Sequence, residues 1–333
     1  HYDLGTVTND AKITVNGKEI ELSALLEKWT APLEKVFPTK AEVPEIEVDV
    51  PLYSERNTSS PAIKTAKPTV FIPVFPGTNC EVDTARAFEK AGANVEMLIV
   101  KNLSSNDIEE TIDEMEKLIA KSQMIMLPGG FSGGDEPDGS GKFIATVLRN
   151  PRLKAAIDDL LDNREGLMIG ICNGFQALVK LGLLPHGHIK DMSKDDPTLT
   201  FNTIGRHLSQ MVTTRVSSVK SPWLANVELG DEHIIPISHG EGRFVAPKEV
   251  LDQLIDNGQV AFQYVDPNGN VTMESPYNPN GSMYGIEGIV SEDGRVLGKM
   301  GHSERQGENR DLNIYGEMDQ KLFEAGVKYF KGE

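Results

Sequence analysis

The sequence is poor in cysteine, aromatic residues and positive charge, and it lacks a long apolar run. Two cysteines, at positions 80 and 172 of 333, cannot build a disulfide framework, and no Cys/His cluster with zinc-ligand spacing occurs. Lys and Arg total 33 against 50 Asp and Glu, a formal net charge of −17, so DNA and anionic lipid would repel the chain. No apolar stretch approaches the ~20 residues that span a bilayer. We therefore expect a cytoplasmic protein without a metal, a nucleic-acid partner or a membrane segment.

What is present falls into three segments. Residues 1–40 contain a hairpin signal, KITVNGKEIEL around Asn16-Gly17, followed by a short helix interrupted near Pro32. Residues 41–69 are rich in Pro, Ser, Glu and Thr, which is typical of an extended linker crossing a surface. The pattern changes again at residues 70–333, the largest segment. The chain opens without Met, and we expect it to be part of a longer polypeptide or a processed chain.

The third segment has the pattern of an α/β domain. Strand candidates VFIPVF, VEMLIV, QMIML and GLMIGI alternate with helix candidates, which predicts a parallel sheet covered on both faces. Beyond Pro185 short strand candidates follow one another, and EMDQKLFEAGVKYF predicts a closing helix. Ligands of such sheets bind beyond the carboxyl ends of the strands. Three glycine-bearing corners fall there: PGTN (76–79), PGGFSGGDEPDG (128–139) and GICNGFQ (170–176).

The corner at Cys172 has the form of a nucleophile elbow, because Gly170 and Gly174 flank the cysteine between a strand and a helix. Small residues at these positions relieve crowding in the tight turn, and the central side chain is held away from the backbone. The N-terminus of the following helix favours thiolate over thiol, and the thiolate is the nucleophilic form. A buried structural cysteine at a helix start is the alternative, since this motif alone is only moderately specific.

A cysteine nucleophile needs a proton carrier and a group that orients that carrier. Two histidines have suitable neighbours: His239 with Glu241 in SHGEGR, and His302 with Glu304 in GHSER. Each pair follows a strand candidate. Side chains at i and i+2 of an extended segment share a face, so the Glu can fix the tautomer of the imidazole. The pattern alone does not choose between the pairs, and a surface His–Glu pair is the alternative for either one.

A third requirement is an oxyanion hole. Gly129 and Gly130 follow a strand candidate, and glycines let backbone N–H groups turn toward a ligand without hindrance from a Cβ atom. The N–H of Asn173, next after the cysteine, is the natural second donor. The glycine-rich run lacks the G-K-[ST] ending of a phosphate-binding loop, so we discount nucleotide binding there. A turn with no chemical role is the alternative.

Together these motifs resemble the glutaminase domain of class I (triad) glutamine amidotransferases. More narrowly, they resemble the carboxy-terminal part of phosphoribosylformylglycinamidine synthases of the large single-chain type. The matching stretches are FPGTNCEVDTARAFEKAGA, MLPGGFSGGDEPDGS, GICNGFQALVKLGLLP, TLTFNTIGRH, ISHGEGRF and GKMGHSER. The resemblance implies a flavodoxin-like three-layer α/β/α fold with a mostly parallel central sheet. Residues 1–40 resemble the last segment of the synthetase portion of those enzymes.

The resemblance also assigns roles to individual residues. It makes Cys172 the nucleophile, His302 the proton carrier and Glu304 its partner, although this family usually has proline where Ser303 stands. The remaining assignments are Gly129, Gly130 and Asn173 for the oxyanion hole, and Gln176, Ser238, His239, Gly240 and Glu241 for substrate binding.

The implied reaction is hydrolysis of L-glutamine to glutamate and ammonia through a γ-glutamyl thioester. Ammonia would pass to the synthetase domain of the same polypeptide. There ATP and Mg²⁺ would serve the conversion of formylglycinamide ribonucleotide to formylglycinamidine ribonucleotide in de novo purine biosynthesis. The residues of this chain would themselves hold no cofactor.

Two alternatives stay open. One is another elbow-cysteine hydrolase of the same fold, such as a peptidase-like relative; those enzymes usually take their histidine from just after the elbow, where this chain has Asn173. The other is a non-catalytic docking module, which would be expected to have lost the cysteine or the histidine. Cys80 lacks the elbow spacing, and we interpret it as a packing or loop-positioning residue.

Overall fold

The computed structural model of the chain describes residues 4–39, 41, 50–57, 60–135, 141–307 and 310–332. Parts of two predicted features, the linker at 41–69 and the glycine-rich corner at 128–139, therefore lie outside the described residues. The chain divides into two units, His1–Glu42 and Val43–Glu333, and each is described by itself.

The first unit contains a β-hairpin and a helix. Strands β1 (Lys12–Val15) and β2 (Lys18–Glu21) pair antiparallel, and helix α1 spans Leu22–Thr30. Asn16 and Gly17 connect the strands with φ of 50° and 76°, the left-handed values that a two-residue hairpin turn requires. Both the predicted hairpin and the predicted helix are present. The exposed apolar side chains of this unit include Leu26, Trp29, Leu33, Val36 and Phe37.

The described part of the predicted linker runs along the second unit. The Tyr53 N–H donates to Ser217 O at 2.9 Å, and the Val219 N–H donates to Tyr53 O at 3.2 Å. Further along, the Thr65 N–H donates to Phe330 O at 2.9 Å. Backbone hydrogen bonds therefore hold this segment against a surface on both sides of residues 58 and 59.

The second unit contains the remaining strands and helices. Its strands are β3 (Thr69–Val74), β4 (Asn94–Ile99), β5 (Met124–Leu127), β6 (Leu167–Ile171), β7 (Thr198–Thr200), β8 (Leu208–Val216), β9 (Glu232–His239), β10 (Arg243–Val245), β11 (Val260–Tyr264), β12 (Ile286–Val290) and β13 (Val296–Lys299). Its helices are α2 (Glu81–Ala91), α3 (Ser105–Lys121), α4 (Lys142–Leu148), α5 (Pro151–Asp158), α6 (Asn173–Leu181), α7 (Leu183–His186), α8 (Lys248–Asp256) and α9 (Leu322–Lys331). Every described helix is too short or too polar to cross a membrane.

Nine of the described strands form one sheet in the order β4-β3-β5-β6-β13-β12-β11-β8-β9. Neighbours from β4 to β13 are parallel, and neighbours from β13 to β9 are antiparallel. The parallel half has the strand order 2-1-3-4-5 of flavodoxin-like sheets. The predicted α/β fold class is thereby confirmed. The antiparallel half is built from the short strand candidates beyond Pro185.

Helices cover both faces of the parallel half. The crossovers β3-to-β4 and β4-to-β5 run in opposite directions along the sheet, so right-handed connections put α2 and α3 on opposite faces. On its face α2 packs against α9, and α3 packs against α5. The central strands β5 and β6 are buried along their whole length, as expected for strands covered on two sides.

The closing helix is shorter than the sequence pattern predicts. It begins at Leu322, whereas the helical pattern begins at Glu317. The Glu317 carboxylate accepts from the Asp319 N–H at 2.8 Å, and the Asp319 carboxylate accepts from the Lys321 N–H at 2.8 Å. These local bonds give the backbone an alternative to helical hydrogen bonding, which explains the late start.

Parallel strands bring the predicted chemistry to one edge of the sheet. The carboxyl ends of β3, β5, β6 and β13 lie there together. They are followed in turn by the loop 75–80, the loop 128–135, the elbow at Cys172 and the segment 300–305. Residues far apart along the chain therefore meet at this edge.

Candidate active site

Cys172 lies between β6 and α6 in a strained backbone conformation. Its φ of 53° and ψ of −106° are rare for a residue with a Cβ atom. The Cys172 N–H donates to Lys299 O at 2.8 Å, which ties the corner to the end of β13. Only 5% of the residue is exposed. A nucleophile elbow requires this kind of sharp, strained strand-to-helix corner.

The glycines beside the cysteine allow the corner to pack closely. A Cβ atom at Gly174 would overlap Leu127 O and lie 2.8 Å from Leu127 Cβ. A Cβ atom at Gly170 would lie 2.6 Å from backbone atoms of Gly174. A side chain at Gly174 would require β5 and α6 to move apart, and one at Gly170 would require β6 and α6 to do so.

His302 reaches the elbow because β13 runs parallel to β6, with Lys299 opposite Ile171. The imidazole is 2% exposed, and its Nδ1 lies 2.6 Å from Oε1 of Glu304, which is 3% exposed. If the carboxylate is ionised, Nδ1 carries the proton and donates it to Oε1. The opposite nitrogen, Nε2, is buried and has no hydrogen-bond partner among the described residues. Nε2 is therefore available for proton transfer.

The two groups stabilise each other's charged forms. Burial opposes the charge on His302, but Glu304 and, to a lesser degree, the Cys172 and Cys80 thiols outweigh it. The pKa of His302 therefore lies well above its ordinary value. Burial also opposes the charge on Glu304, but the imidazolium outweighs it and lowers the pKa of that carboxyl group. An imidazolium held in this way can stabilise a thiolate at Cys172.

The second His-x-Glu pair has a different arrangement. Nδ1 of His239 lies 3.2 Å from Oδ1 of Asn202. Burial, followed by the nearby charges of His302 and His207, lowers the pKa of His239 to about 3. An imidazole with that pKa is neutral at pH 7 and is a poor proton donor. The geometry therefore favours His302 as the proton carrier, a choice that the sequence pattern leaves open.

The loop after β5 passes directly over these side chains. A Cβ atom at Gly129 would lie 2.7 Å from His302 Cε1 and 3.4 Å from Cys172 Cβ. Gly129 O accepts hydrogen bonds from the Asn79 and Cys80 N–H groups, each at 3.2 Å. Gly130 is equally confined, since a Cβ atom there would lie 2.6 Å from Gly77 O. Gly129 therefore lies against the histidine and the cysteine, whereas the neighbours of Gly130 belong to the loop 77–79; the role of both as oxyanion donors stays a prediction.

Asn173 and Gln176 form a buried hydrogen-bonded chain. Asn173 Oδ1 accepts from the Ser132 N–H at 3.2 Å, and its Nδ2 donates to Gln176 Oε1 at 3.0 Å. Gln176 Nε2 in turn donates to Glu241 O. Gln176 is predicted to contact substrate, yet its carboxamide already has two protein partners. Each polar atom of the carboxamide has one of these partners, so one N–H and one lone pair remain for a ligand.

The segment 238–241 approaches Cys172 through Ser238. Ser238 O lies 3.8 Å from Cys172 Sγ, and Ser238 Oγ lies 2.9 Å from Nε2 of the exposed His207. Gly240 O accepts from the Asn202 N–H at 2.8 Å. Of the five predicted substrate-binding residues, Ser238 contacts the Cys172 sulfur and Gln176 donates its N–H to the Cys172 carbonyl. The role of all five in binding glutamine stays a prediction.

One ion pair behind the site is absent from the sequence predictions. Lys299 Nζ lies 3.3 Å from Glu287 Oε1, and both side chains are fully buried. Lys299 Nζ donates to Gly301 O at 2.8 Å, and Glu287 Oε1 accepts from the Gly301 N–H at 2.5 Å. The pair therefore holds both backbone groups of the residue before His302. A lysine inside the apolar run RVLGKM is the signal that could have revealed it, since unpaired lysines are rarely buried.

Cys80 also lies in the site, although the sequence suggests only packing or loop positioning. Its Sγ is 3.8 Å from His302 Nδ1 and accepts a hydrogen bond from Arg305 at 3.0 Å. The position of the cysteine at the carboxyl end of β3, next to the other glycine-bearing corners, is the available signal.

Comparison with known proteins gives consistent matches. Residues 67–330 match the family of CobB/CobQ-like glutamine amidotransferase domains. The phosphoribosylformylglycinamidine synthase subunit PurQ of Methanococcus maripaludis strain C5 is 36% identical over 243 residues, 72% of this chain and 83% of the relative. The same subunit of Aquifex aeolicus is 35% identical over 238 residues, 71% of this chain and 90% of the relative. Among solved structures, PurLQS from Thermotoga maritima matches with a TM-score of 0.56 and 29% identity, covering 79% of this chain and 99% of the matched chain.

Proposed function

The chain belongs to the family of CobB/CobQ-like glutamine amidotransferase domains, and from that membership we propose that it is the glutaminase part of a phosphoribosylformylglycinamidine synthase. The relatives named as the PurQ subunit of that synthase support the assignment. The observation that carries it is the 2.6 Å hydrogen bond between buried His302 and Glu304 beside an elbow cysteine. Cysteine, imidazole and carboxylate in this order form a nucleophilic triad.

The reaction proposed is hydrolysis of the L-glutamine side-chain amide. The Cys172 thiolate attacks the carboxamide carbon and forms a C–S bond, and backbone N–H groups of Asn173 and the Gly129–Gly130 loop receive the oxyanion. His302 gives its Nε2 proton to the departing nitrogen, so ammonia leaves and a γ-glutamyl thioester remains. Neutral His302 then takes a proton from water. The resulting hydroxide adds to the thioester, the C–S bond breaks, and glutamate leaves with the thiolate and imidazolium restored.

Ammonia is proposed to pass to a synthetase domain that uses ATP and Mg²⁺. The relatives are named as subunits, and for this chain we propose the single-polypeptide arrangement. In support, the family match begins at residue 67, and residues before it include a separate hairpin-and-helix unit. We propose that residues 1–40 are the end of the synthetase domain and residues 41–69 the linker. A cytoplasmic location agrees with the two free cysteines.

The test is release of glutamate and ammonia from L-glutamine by the full chain, alone and with a separately expressed synthetase domain. Cys172→Ala and His302→Ala should each lower kcat by about 10³-fold or more, and His239→Ala should lower it much less. A glutamine-derived diazo-ketone should label Cys172 and spare Cys80. Labelling of Cys80, or full activity of His302→Ala, would favour another elbow-cysteine hydrolase. No hydrolysis under any condition would favour a docking module.

The role of the first unit has its own test. Trp29 is 82% exposed, and an exposed apolar surface on a folded unit is typical of an interface. If this unit belongs to the synthetase, added synthetase should stimulate the parent chain more than Trp29→Ser. Lys28→Ser, next to it on α1, serves as the control for the same helix. Equal stimulation of all three chains would contradict the assignment.

A further inference from the structure

Cys80 is a buried thiol that the proposed reaction does not use. It is 1% exposed and stands immediately before α2, after the first parallel strand. Its N–H donates to Gly129 O at 3.2 Å, and its carbonyl accepts from the Thr84 N–H at 3.0 Å. The backbone of Cys80 is therefore fixed on one side to the loop at Gly129 and Gly130, the proposed oxyanion loop, and on the other to the first turn of α2.

The sulfur of Cys80 faces the catalytic groups. Sγ lies 3.8 Å from His302 Nδ1 and 3.0 Å from Asn79 Oδ1. A Cβ atom at Gly129 would lie 3.0 Å from this sulfur, so the thiol and the oxyanion loop are in close contact. Packing at a helix start requires none of these polar neighbours.

Arg305 connects this sulfur to the turn that carries the triad. The Arg305 Nη2 donates to Cys80 Sγ at 3.0 Å, and the Arg305 N–H donates to His302 O at 3.2 Å. Burial disfavours the guanidinium charge, but the charge interaction and hydrogen bond with Cys80 outweigh it and raise the pKa of Arg305. One side chain thus joins the loop before α2 to the turn at residues 302–305.

The same cluster has the donor types of a metal site, since ligand atoms of Cys80, His302 and Glu304 lie within 4.8 Å of one another. Two contacts favour another interpretation. The cationic Arg305 already donates a hydrogen bond to the Cys80 sulfur, and Nδ1 of His302 is already hydrogen-bonded to Glu304 at 2.6 Å. A cation would have to displace both, so the cluster is better explained as part of the triad's support.

We propose that Cys80 and Arg305 are a positioning pair that holds the His302–Glu304 turn against the oxyanion loop and so aims Nε2 of His302 at Cys172. The proposal rests on the glutaminase function proposed above. Neither residue is proposed to touch glutamine. Their effect is on the angle and distance of the imidazole, on which proton transfer depends steeply.

The proposal predicts a specific kinetic signature for Cys80→Ala. We expect kcat to fall by about 10- to 100-fold with KM changed less than about twofold, because a misaligned imidazole impairs chemistry more than binding. Cys80→Ser keeps a hydrogen-bond acceptor for Arg305 and should recover part of the loss. In a double variant with Arg305→Met, the second substitution should add little, since both remove the same contact.

The pH dependence gives a second readout that a purely structural role would not move. The groups facing His302 are Glu304 and Arg305 from its own turn, Cys172 from the β6–α6 elbow, Cys80 from the loop before α2, and His239 from the end of β9. Among them, Cys80 favours the imidazolium. Its removal should therefore lower the pKa of His302 and shift the alkaline limb of kcat/KM to lower pH.

The experiment compares the parent chain, Cys80→Ala, Cys80→Ser and Arg305→Met in steady-state glutamine hydrolysis across pH, with thermal unfolding alongside. Thr84→Val is the matched control, because Thr84 is buried in α2, the helix that follows Cys80, and its hydroxyl has no hydrogen-bond partner among the described residues. A parent-like kcat and pH profile in Cys80→Ala would overturn the proposal. So would a rise in KM alone. If Cys80→Ala does not fold, Cys80→Ser and Arg305→Met decide the outcome.

A parallel measurement separates this proposal from the function on which it rests. The rate of Cys172 alkylation by iodoacetamide, followed by mass spectrometry, depends on its imidazole partner and requires no glutamine turnover. If the parent chain does not hydrolyse glutamine, the proposed function fails. The rate of Cys172 alkylation in Cys80→Ala then still tests the positioning pair. A rate that differs from that of the parent chain supports the pair, and an unchanged rate overturns it.

Discussion

Lys299 and Glu287 form an ion pair in which both side chains are fully buried, with Nζ 3.3 Å from Oε1. The pair spans the antiparallel neighbours β13 and β12 and binds both backbone groups of Gly301. His302 follows at once. The ion pair therefore fixes the backbone just before the histidine. A buried charge is costly when it is unpaired, so the stability of the fold depends on both partners being present.

Removal of one partner should therefore be worse than removal of both charges. We expect Lys299→Met to lower the free energy of unfolding by about 3–5 kcal/mol, because it leaves the Glu287 carboxylate unpaired. Adding Glu287→Gln keeps an acceptor for the Gly301 N–H and should recover a large part of that loss. Urea denaturation of the parent and the two variants measures this. A double variant less stable than Lys299→Met would contradict the prediction.

The carboxylate of Glu304 should set the titration of its partner. Glu304→Gln removes the charge that favours the imidazolium, so the pKa of His302 should fall and the alkaline limb of kcat/KM should move to lower pH. We expect kcat to decrease by about 10²- to 10⁴-fold. The measurement is glutamine hydrolysis across pH, with Ser303→Ala as a control on the same turn. An unchanged pH profile would mean that Glu304 does not act through His302.

Gly129 should be intolerant of even a methyl group. In Gly129→Ala the new Cβ atom would lie 2.7 Å from His302 Cε1, so the imidazole or the loop must move. We expect kcat to fall about 10²-fold or more, because both the histidine and the oxyanion donors shift. Gly307→Ala is the control, since its nearest neighbour would be 3.7 Å away on the flexible Arg310 side chain. Similar kinetics for the two variants would refute the close packing inferred at residue 129.

His239 should make stability depend on pH in a predictable direction. Its pKa is about 3 in the folded chain, against 6.5 for an ordinary histidine. Below pH 6.5 the unfolded chain binds a proton that the folded chain does not bind until about pH 3, so stability is lost as the pH falls through this window. Between pH 7 and pH 5 this contribution is roughly 2 kcal/mol.

His239→Gln removes that titration and can still donate to Asn202. The difference in unfolding free energy between variant and parent should therefore move in favour of the variant from pH 7 to pH 5. His302, whose raised pKa acts in the opposite sense, is present in both chains and cancels from the comparison. Parallel stability curves would show that the folded state accepts the proton on His239.

The sequence predicts the elements of the parallel half well, because apolar runs such as QMIML and GLMIGI are central strands covered on two sides. Local pattern also identifies the elbow, since Gly170 and Gly174 are required by the corner itself. It does not choose between His239 and His302. That choice depends on the pairing of β13 with β6 and on the Asn202 contact, which join distant parts of the chain. The family resemblance, not the spacing, singles out His302.

Other features depend on contacts that no local pattern records. The sequence around Gln176 gives no sign of its hydrogen bond to the carbonyl of Glu241, because that bond joins a helix to a loop far along the chain. The link between Cys80 and Arg305 is equally remote in sequence. The late start of α9 has a local cause, the hydrogen bonds from backbone N–H groups to nearby carboxylates. The periodic pattern of apolar residues does not record this competition between side-chain acceptors and the helix.

The position of β13 at the seam between the two halves of the sheet has a consequence for biosynthesis. Its neighbour on one side is the parallel strand that ends at the elbow, and its neighbour on the other belongs to the antiparallel half. The ribosome makes the cysteine long before it makes this late strand. A nascent chain therefore carries the Cys172 thiol without its imidazole until residue 302 has been made, and no fragment ending before residue 302 can hydrolyse an amide by this route.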